Sequence, residues 1–516
     1  MLKKMRIALA IACFIVISLL FLDISGVLHK NFAFLAEFQF IPALLALNVV
    51  VLVVLAVLTL VFGRIYCSVI CPTGVYQDIV SYFARRIKSK KTRRYSFSAA
   101  KTVLRIVVLA VFIVGVVAGI GIVSAILDPY GAYGRMVTEL VSPVYGAVNN
   151  LFAKVLGVQH YTFAPTEIWI KSIFSLVLAS LTLLIIGFLA WRSGRTYCNT
   201  FCPVGTILGY LSKCSILKLR IDKTSCTMCG RCSRDCKASC IDFKNHTIDY
   251  TRCVTCFNCI ESCKDGSMTY SIKKAAKKQP LEIVGVSSEN NSRRQFFITS
   301  LLMAASATGL KAQEKKRSMI KFPAVRKDRY KRSIPVSPPG SLSHDNLNDK
   351  CTACLLCVNQ CPDKIIRPSV NEYGWTAVMQ PTLSFERGYC RTDCTVCSDV
   401  CPTDAITKLS KGDKTKVAMG HAVYVRENCI VVKDDVNCDG CWRICPTDAI
   451  TREYRDSGAS YLSPAGQPDA NTVDLRLVPV VNKDKCIGCG ACEYICPARP
   501  LSAIFVEGYK KHLALN

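Results

Sequence analysis

Six runs of four cysteines set the strongest limit on what this chain of 516 residues can fold into. Two lie mid-chain, at Cys226, Cys229, Cys232, Cys236 and at Cys253, Cys256, Cys259, Cys263. Four follow near the C-terminus: Cys351, Cys354, Cys357, Cys361; Cys390, Cys394, Cys397, Cys401; Cys429, Cys438, Cys441, Cys445; and Cys486, Cys489, Cys492, Cys496. Thiols repeated at gaps of two, two and three residues curl round a metal cofactor, so these segments fold about inorganic cores rather than a large apolar interior. A disulfide scaffold needs its cysteines packed into a short secreted domain, and 31 spread over 516 residues do not qualify. Zinc ribbons take thiolates in two pairs rather than interlocked triads, which leaves iron and sulfur. GxGxxG, Walker, HExxH and CxxCH motifs are all missing, so nicotinamide, ATP, zinc-peptidase and c-haem readings lack their residues.

In interlocked two-cluster modules the first three thiolates of a run hold one cubane and the fourth crosses to the other. That rule pairs Cys226, Cys229, Cys232 with Cys263, and Cys253, Cys256, Cys259 with Cys236. It pairs Cys351, Cys354, Cys357 with Cys401, and Cys390, Cys394, Cys397 with Cys361. The last two sets are Cys429, Cys438, Cys441 with Cys496, and Cys486, Cys489, Cys492 with Cys445. Six 4Fe-4S clusters are expected. Cys429 stands nine residues before Cys438, so either the gap is looped out or Cys429 is a bystander beside a three-iron cluster. Cys236 and Cys263 are followed by Lys237 and Lys264, where the other four runs end in Cys-Pro, and the turn after them is undetermined.

The first half has a different character. Four apolar runs, 5 to 22, 41 to 62, 102 to 127 and 168 to 191, approach the roughly 20 residues a bilayer requires. Residues 1 to 318 carry 39 basic and 15 acidic side chains, against 26 and 22 in the remainder. Lys3, Lys4 and Arg6 precede the first run, and seven basic residues lie between Arg85 and Arg94. The positive-inside rule places both stretches in the cytoplasm and residues 128 to 167 outside. Because the basic block abuts spans on both sides, it is read as a topology signal and no nucleic-acid partner is expected. The predicted fold is a multi-domain chain: a four-helix transmembrane bundle plus α+β bacterial-type two-cluster ferredoxin modules.

An internal repeat lies inside the bundle. Gly63 to Gly74 and Gly194 to Gly205 share the pattern GRxYCxxxCPxG at an offset of 131 residues. Repeat-built membrane proteins often place a site at the repeat interface. Cys67, Cys71, Cys198 and Cys202 are therefore candidate ligands of an extra metal or cluster, with simple packing of reduced thiols as the alternative.

Between the halves, Ser292-Arg293-Arg294-Gln295-Phe296-Phe297 precedes an uncharged stretch to Leu310, the pattern of a twin-arginine export signal placed inside the chain. A cytoplasmic linker helix with a chance Arg-Arg pair is the competing reading. The expected division is a membrane domain over 1–215, a two-cluster ferredoxin domain over 216–272, a linker over 273–345 with the twin-arginine-like segment at 292–312, and a four-cluster domain over 346–516.

On these motifs, residues 1 to about 270 resemble the NapH and MauN membrane quinol dehydrogenase proteins. Residues from about 290 resemble the NapG and MauM four-cluster ferredoxin proteins, so the chain looks like a fusion of the two types. The resemblance implies a multi-pass protein of the cytoplasmic membrane with its N-terminus and first ferredoxin domain inside and its C-terminal domain periplasmic. It implies oxidation of quinol from the membrane quinone pool and electron delivery to a periplasmic reductase or c-type cytochrome. Asp128, Tyr130, Tyr133, Arg135, Glu139 and His160 are candidate quinone or proton contacts in the outer loop. A second reading, from NosR-like relatives, is a redox-sensing or maturation factor for a periplasmic metalloenzyme.

Overall fold

The computed structural model describes residues 1–23, 27–88, 95–156, 169–272, 327–454 and 476–515. The first apolar run forms one helix, α1 (Leu2–Leu22), because no glycine or proline interrupts it and its one mid-helix hydroxyl, Ser18, donates back to Phe14 O. At 1.5 Å per residue its 21 residues reach about 30 Å, the thickness of a bilayer core. The fourth run behaves alike and forms a helix of 21 residues at Ile173–Ser193. Among the described residues these two alone are long and apolar enough to cross a membrane, and only 28% and 22% of their apolar windows are buried. A core helix of a soluble protein would bury most of its surface; here Leu9, Ile15, Val177 and Leu184 face outward.

The other two expected spans are each broken. Residues 41 to 62 divide into two helices, Phe40–Leu45 and Val49–Phe62. The break falls where Leu47 takes a left-handed φ of 54° and the Asn48 side chain caps the next helix by accepting from Val51 N–H at 3.2 Å. Residues 102 to 127 divide at Gly119, φ 64°, into Thr102–Val117 and Gly121–Leu127. Among the described residues there are thus two full-length apolar helices and two shorter ones in place of four uninterrupted spans.

Residues 128 to 141, expected as an outer loop, are instead helix, buried from Asp128 to Glu139. Asp128 accepts from Tyr130 N–H and Gly131 N–H and caps Pro129–Met136, which continues as a π-turn over Val137–Val141. Asp128, Tyr130, Tyr133, Arg135 and Glu139 are all buried there. His160 lies outside the described residues, as does the twin-arginine-like segment at 292–312.

The cysteine runs form small two-stranded modules. In the first, Lys218–Ile221 pairs antiparallel with Met268–Ser271, and Ile241–Asp242 with Thr247–Ile248. In the C-terminal part, Ile366–Pro368 pairs with Pro381–Leu383, Val417–Tyr424 with Ile504–Ala514, and Ile450–Tyr454 with Leu477–Val481.

Apolar helices join the two sets of modules end to end. Lys3 at the start of α1 pairs with Glu261 of the first module, while Phe21 O at its end accepts from Asn359 of the C-terminal part. Arg105, at the start of Thr102–Val117, donates to Thr251 of the first module, and Gly119 O beyond its end accepts from Asn348. Lys171, before Ile173–Ser193, donates to Asn359, and Arg195 N–H beyond it donates to Lys237 O. The first module therefore caps one end of the bundle and the C-terminal modules cap the other.

Candidate cluster and thiol sites

The run cysteines collect in the sets that interlocked spacing demands. One cavity is lined by Cys226, Cys229, Cys232 and Cys263, a second by Cys351, Cys354, Cys357 and Cys401, and a third by Cys429, Cys438, Cys441 and Cys496. Cys259 lies among Cys253, Cys256 and Cys236; Cys397 among Cys390, Cys394 and Cys361; and Cys492 beside Cys486 and Cys489, both of which neighbour Cys445. Cys429, buried, stands with its set because Ile430–Lys433 folds the intervening residues into a turn of helix. Among the described residues no His, Cys, Asp or Glu group closes tightly enough to grip one metal ion. That suits a cubane, whose four iron and four sulfide hold its thiolates apart.

Backbone strain marks the same loops. In the four regular runs the residues just before and just after the second cysteine are both left-handed: Met228 and Gly230, Thr255 and Phe257, Ala353 and Leu355, Gly488 and Gly490. Most of these are not glycine, and such conformations persist only where the surroundings over-determine them. Their effect is to turn amide N–H groups onto sulfur, as Ala353 N–H does on Cys351 Sγ at 3.4 Å. A second left-handed residue stands three places after the fourth cysteine at Lys364, Asp404 and Asp448, and also at Ser239 and Gly266. The lysines at 237 and 264 thus follow their cysteines into the same turn as the prolines do elsewhere.

Cys240 belongs to no run and carries no spacing signal. It is buried, 3.5 Å from Cys236 Sγ, with Cys253 also a neighbour.

The two GRxYCxxxCPxG repeats meet. Each places its first cysteine on a short helix, Tyr66–Val69 or Thr196–Thr200, and its second at the N-cap of a longer helix, Pro72–Ile87 or Pro203–Ser212, with proline at the first helical position. Their arginines are exchanged. Arg64 donates to Cys198 O at 3.4 Å and lies 3.8 Å from Cys67 Sγ, whereas Arg195 donates to Cys67 O at 2.6 Å and lies 4.0 Å from Cys198 Sγ. Each repeat's last glycine is required, since a Cβ on Gly74 would sit 2.2 Å from Cys67 O and one on Gly205 2.1 Å from Cys198 O. Cys67, Cys71, Cys198 and Cys202 are all buried and lie together. Burial holds Cys71, Cys198 and Cys202 above the ordinary thiol value; neighbouring cysteines add to this at Cys71, while Arg195 pulls Cys198 back.

This tetrad stands between the cluster modules. Cys67, Cys71 and Cys202 share one core with Val254 and Cys256 of the first module. Thr73, directly after Cys71-Pro72, donates to Pro129 O. Tyr130 then packs with Cys354 and Cys357, and Arg135 donates to Ala353 O at 3.1 Å.

The fold and these sites define a protein with multiple 4Fe-4S ferredoxin-type domains, whose relatives are ferredoxin-type electron-transfer proteins of the Mau and Nap systems. A 4Fe-4S binding domain description matches residues 44–91 and 173–223, and 4Fe-4S dicluster domain descriptions match 350–406 and 436–499. The methylamine utilization ferredoxin-type protein MauM of Methylorubrum extorquens is 33% identical over 167 residues, 31% of this chain and 66% of that protein. The ferredoxin-type protein NapG of Escherichia coli is 26% identical over 168 residues, 32% of this chain and 66% of its own, and NapF is 24% identical over 180 residues, 35% and 90%. The chain spans just under two thirds of the MauM proteins it matches. No solved structure matches it.

Proposed function

We propose that the chain is a membrane-bound electron-transfer protein that oxidises quinol and passes electrons through 4Fe-4S clusters to an acceptor on the far side of the membrane. One observation carries this reading: apolar helices with outward-facing Leu, Ile and Val join the first cluster module at one end to the C-terminal modules at the other. Lys3, Arg6, Arg85 and Arg86 gather at the first module's end, which supports a cytoplasmic position there and a periplasmic position for residues 346–516. The acceptor is then a periplasmic reductase or c-type cytochrome.

The 24 run cysteines are the proposed ligands, in the six sets given above. When bound, the clusters supply one-electron redox chemistry. The chain's own residues hold the thiols at the right spacing, aim amides at sulfur and shield the sites with core residues such as Ile406, Ile450 and Ile504. The CxxxCP tetrad is the proposed bridge. Two guanidiniums, Arg64 and Arg195, are buried around it, and among the described residues one carboxylate, Asp78, answers Arg195 and none answers Arg64. Buried cations without counter-charge are costly, so thiolates on a bound iron-sulfur cluster, which holds its ligands wider apart than a single ion, are the fitting complement.

The reading is tested by adding a quinol to anaerobically purified protein in lipid nanodiscs. Cluster bleaching within turnover time, on protein carrying about 24 iron per chain, is expected. Clusters that dithionite bleaches and quinol does not would overturn it.

A further inference from the structure

A cavity of about 820 Å³ opens between α1 and the helix Pro72–Ile87, at the end of the bundle that carries the first module. Ile7, Ala10 and Ile11 form one wall, Val75, Ile79 and Phe83 the other. Ile11, Ile79 and Phe83 are exposed, so the groove is open sideways along the apolar surface of the bundle. Its closed end is polar. There Asp78 is held by Arg6, Arg195 and Lys237, three cations on one carboxylate, beside a hydrogen-bonded Ser81 and Tyr95. The cations win, and Asp78 sits far below the ordinary carboxylate range although burial opposes this.

That closed end abuts the thiols of one cluster set. Lys237 follows Cys236 in the chain and its ammonium is within electrostatic reach of Cys256; Asn258, between Cys256 and Cys259, lines the cavity. A lateral opening, apolar walls, a positive head and adjacent cluster ligands are the features a redox-active lipid needs.

We propose that this groove binds the head ring of a membrane quinol, an inference that rests on the quinol-oxidising reading and gives it a site. The apolar walls take the isoprenoid tail, and the ring hydroxyls face Lys237 and Tyr95. The excess positive charge favours the hydroquinone anion, the form that gives up an electron readily. Quinol is oxidised to quinone, losing two protons and two electrons. The protons pass to water at the Lys3 and Arg85 rim, and the electrons pass singly to the cluster on Cys236, Cys253, Cys256 and Cys259. An anionic phospholipid meets the same charges but gives no reason for the polar end to close on cluster thiols.

The test uses the full-length holoprotein in nanodiscs, labelled with a photoreactive azido-naphthoquinone and mapped by mass spectrometry. Label is expected on α1 and on residues 72–87. Ile79→Trp, which fills the groove, should cut labelling and raise the KM for quinol about tenfold while leaving dithionite reduction and the cluster spectrum unchanged. Ile11→Trp fills it from the opposite wall and should do the same, so a folding failure of either variant leaves a readout. Labelling elsewhere, with quinol reduction intact in both variants, overturns the site and leaves the quinol reading standing. Labelling that phosphatidylglycerol displaces and quinol does not also overturns it, as a lipid site. Wild-type clusters that quinol does not reduce, with label in the groove, overturn the function and not the groove.

Discussion

The sulfur of Cys240 lies 3.5 Å from that of Cys236, and both are buried in the first cluster module. Cys253 is also a neighbour, so one thiol outside the runs stands beside two proposed ligands of the same cluster. An S–H group pointed at ligand sulfur stabilises the added electron and raises the cluster's potential. Replacing Cys240 by Ala should lower one midpoint potential by on the order of 50 mV, since a hydrogen bond to a charged group is worth about 1.5 kcal/mol and 59 mV is tenfold for one electron. A redox titration followed by EPR measures it. Unchanged iron content is expected; loss of about four iron per chain would make Cys240 a ligand instead.

The reciprocal approach of the two repeats makes a stability prediction. A Cβ on Gly205 would lie 2.1 Å from Cys198 O and 2.9 Å from Arg64 Nη2, with no flexible chain end to give way on the carbonyl side. Gly205→Ala should cost about 1–3 kcal/mol or more, as overpacking does. Gly412→Ala, whose nearest neighbour would be 3.9 Å away, should leave thermal unfolding of the detergent-solubilised protein unchanged or slightly delayed.

How far the sequence can be read follows from how local each cause is. The gathering of the run cysteines was partly legible because three thiols of each set fall within about a dozen residues, and even the long gap from Cys429 to Cys438 closes by one turn of helix, whereas the fourth comes from another run. The breaks at Asn48 and Gly119 were not legible from hydropathy, which counts apolar residues and is blind to an N-cap or a left-handed φ. Asp128 to Glu139 read as an outer loop because they follow the third apolar run and belong to a stretch poor in basic residues. Burial there comes from partners over 200 residues away, such as Ala353 on Arg135. Cys240 had no spacing to announce it, and the exchange of Arg64 and Arg195 between repeats needs the tertiary fold to be seen.

The proposed export of the C-terminal modules makes a topological prediction. Arg293-Arg294 precede an uncharged run, and the cofactor modules that follow would have to cross the membrane already folded. Replacing both arginines by lysine should leave residues 346–516 inside, shielded from protease added to spheroplasts, whereas the wild-type modules are cut. Equal accessibility in the two proteins, or a shielded wild type, would place all six cluster sets in the cytoplasm.

The last prediction concerns the bridge. Cys256 packs in one core with Cys67, Cys71 and Cys202, and Thr73 links that core to Pro129, beyond which Tyr130 touches Cys354. In the proposed relay the tetrad stands between the modules, and the two buried guanidiniums favour an anionic occupant there. Changing Cys67 and Cys198 together to Ser keeps the size and hydrogen bonding of each side chain but removes two soft ligands, one from each repeat. Metal beyond the six cubanes should disappear, and the first module's clusters should still bleach with quinol while those on Cys351 to Cys496 stay oxidised. The two populations separate by EPR once the C-terminal sets are assigned one by one in Cys354→Ser, Cys394→Ser, Cys441→Ser and Cys489→Ser variants. If quinol still reduces the C-terminal clusters of the double variant and its metal content is unchanged, these thiols pack without metal. The route then runs through the neighbouring Tyr66 and Tyr197 instead.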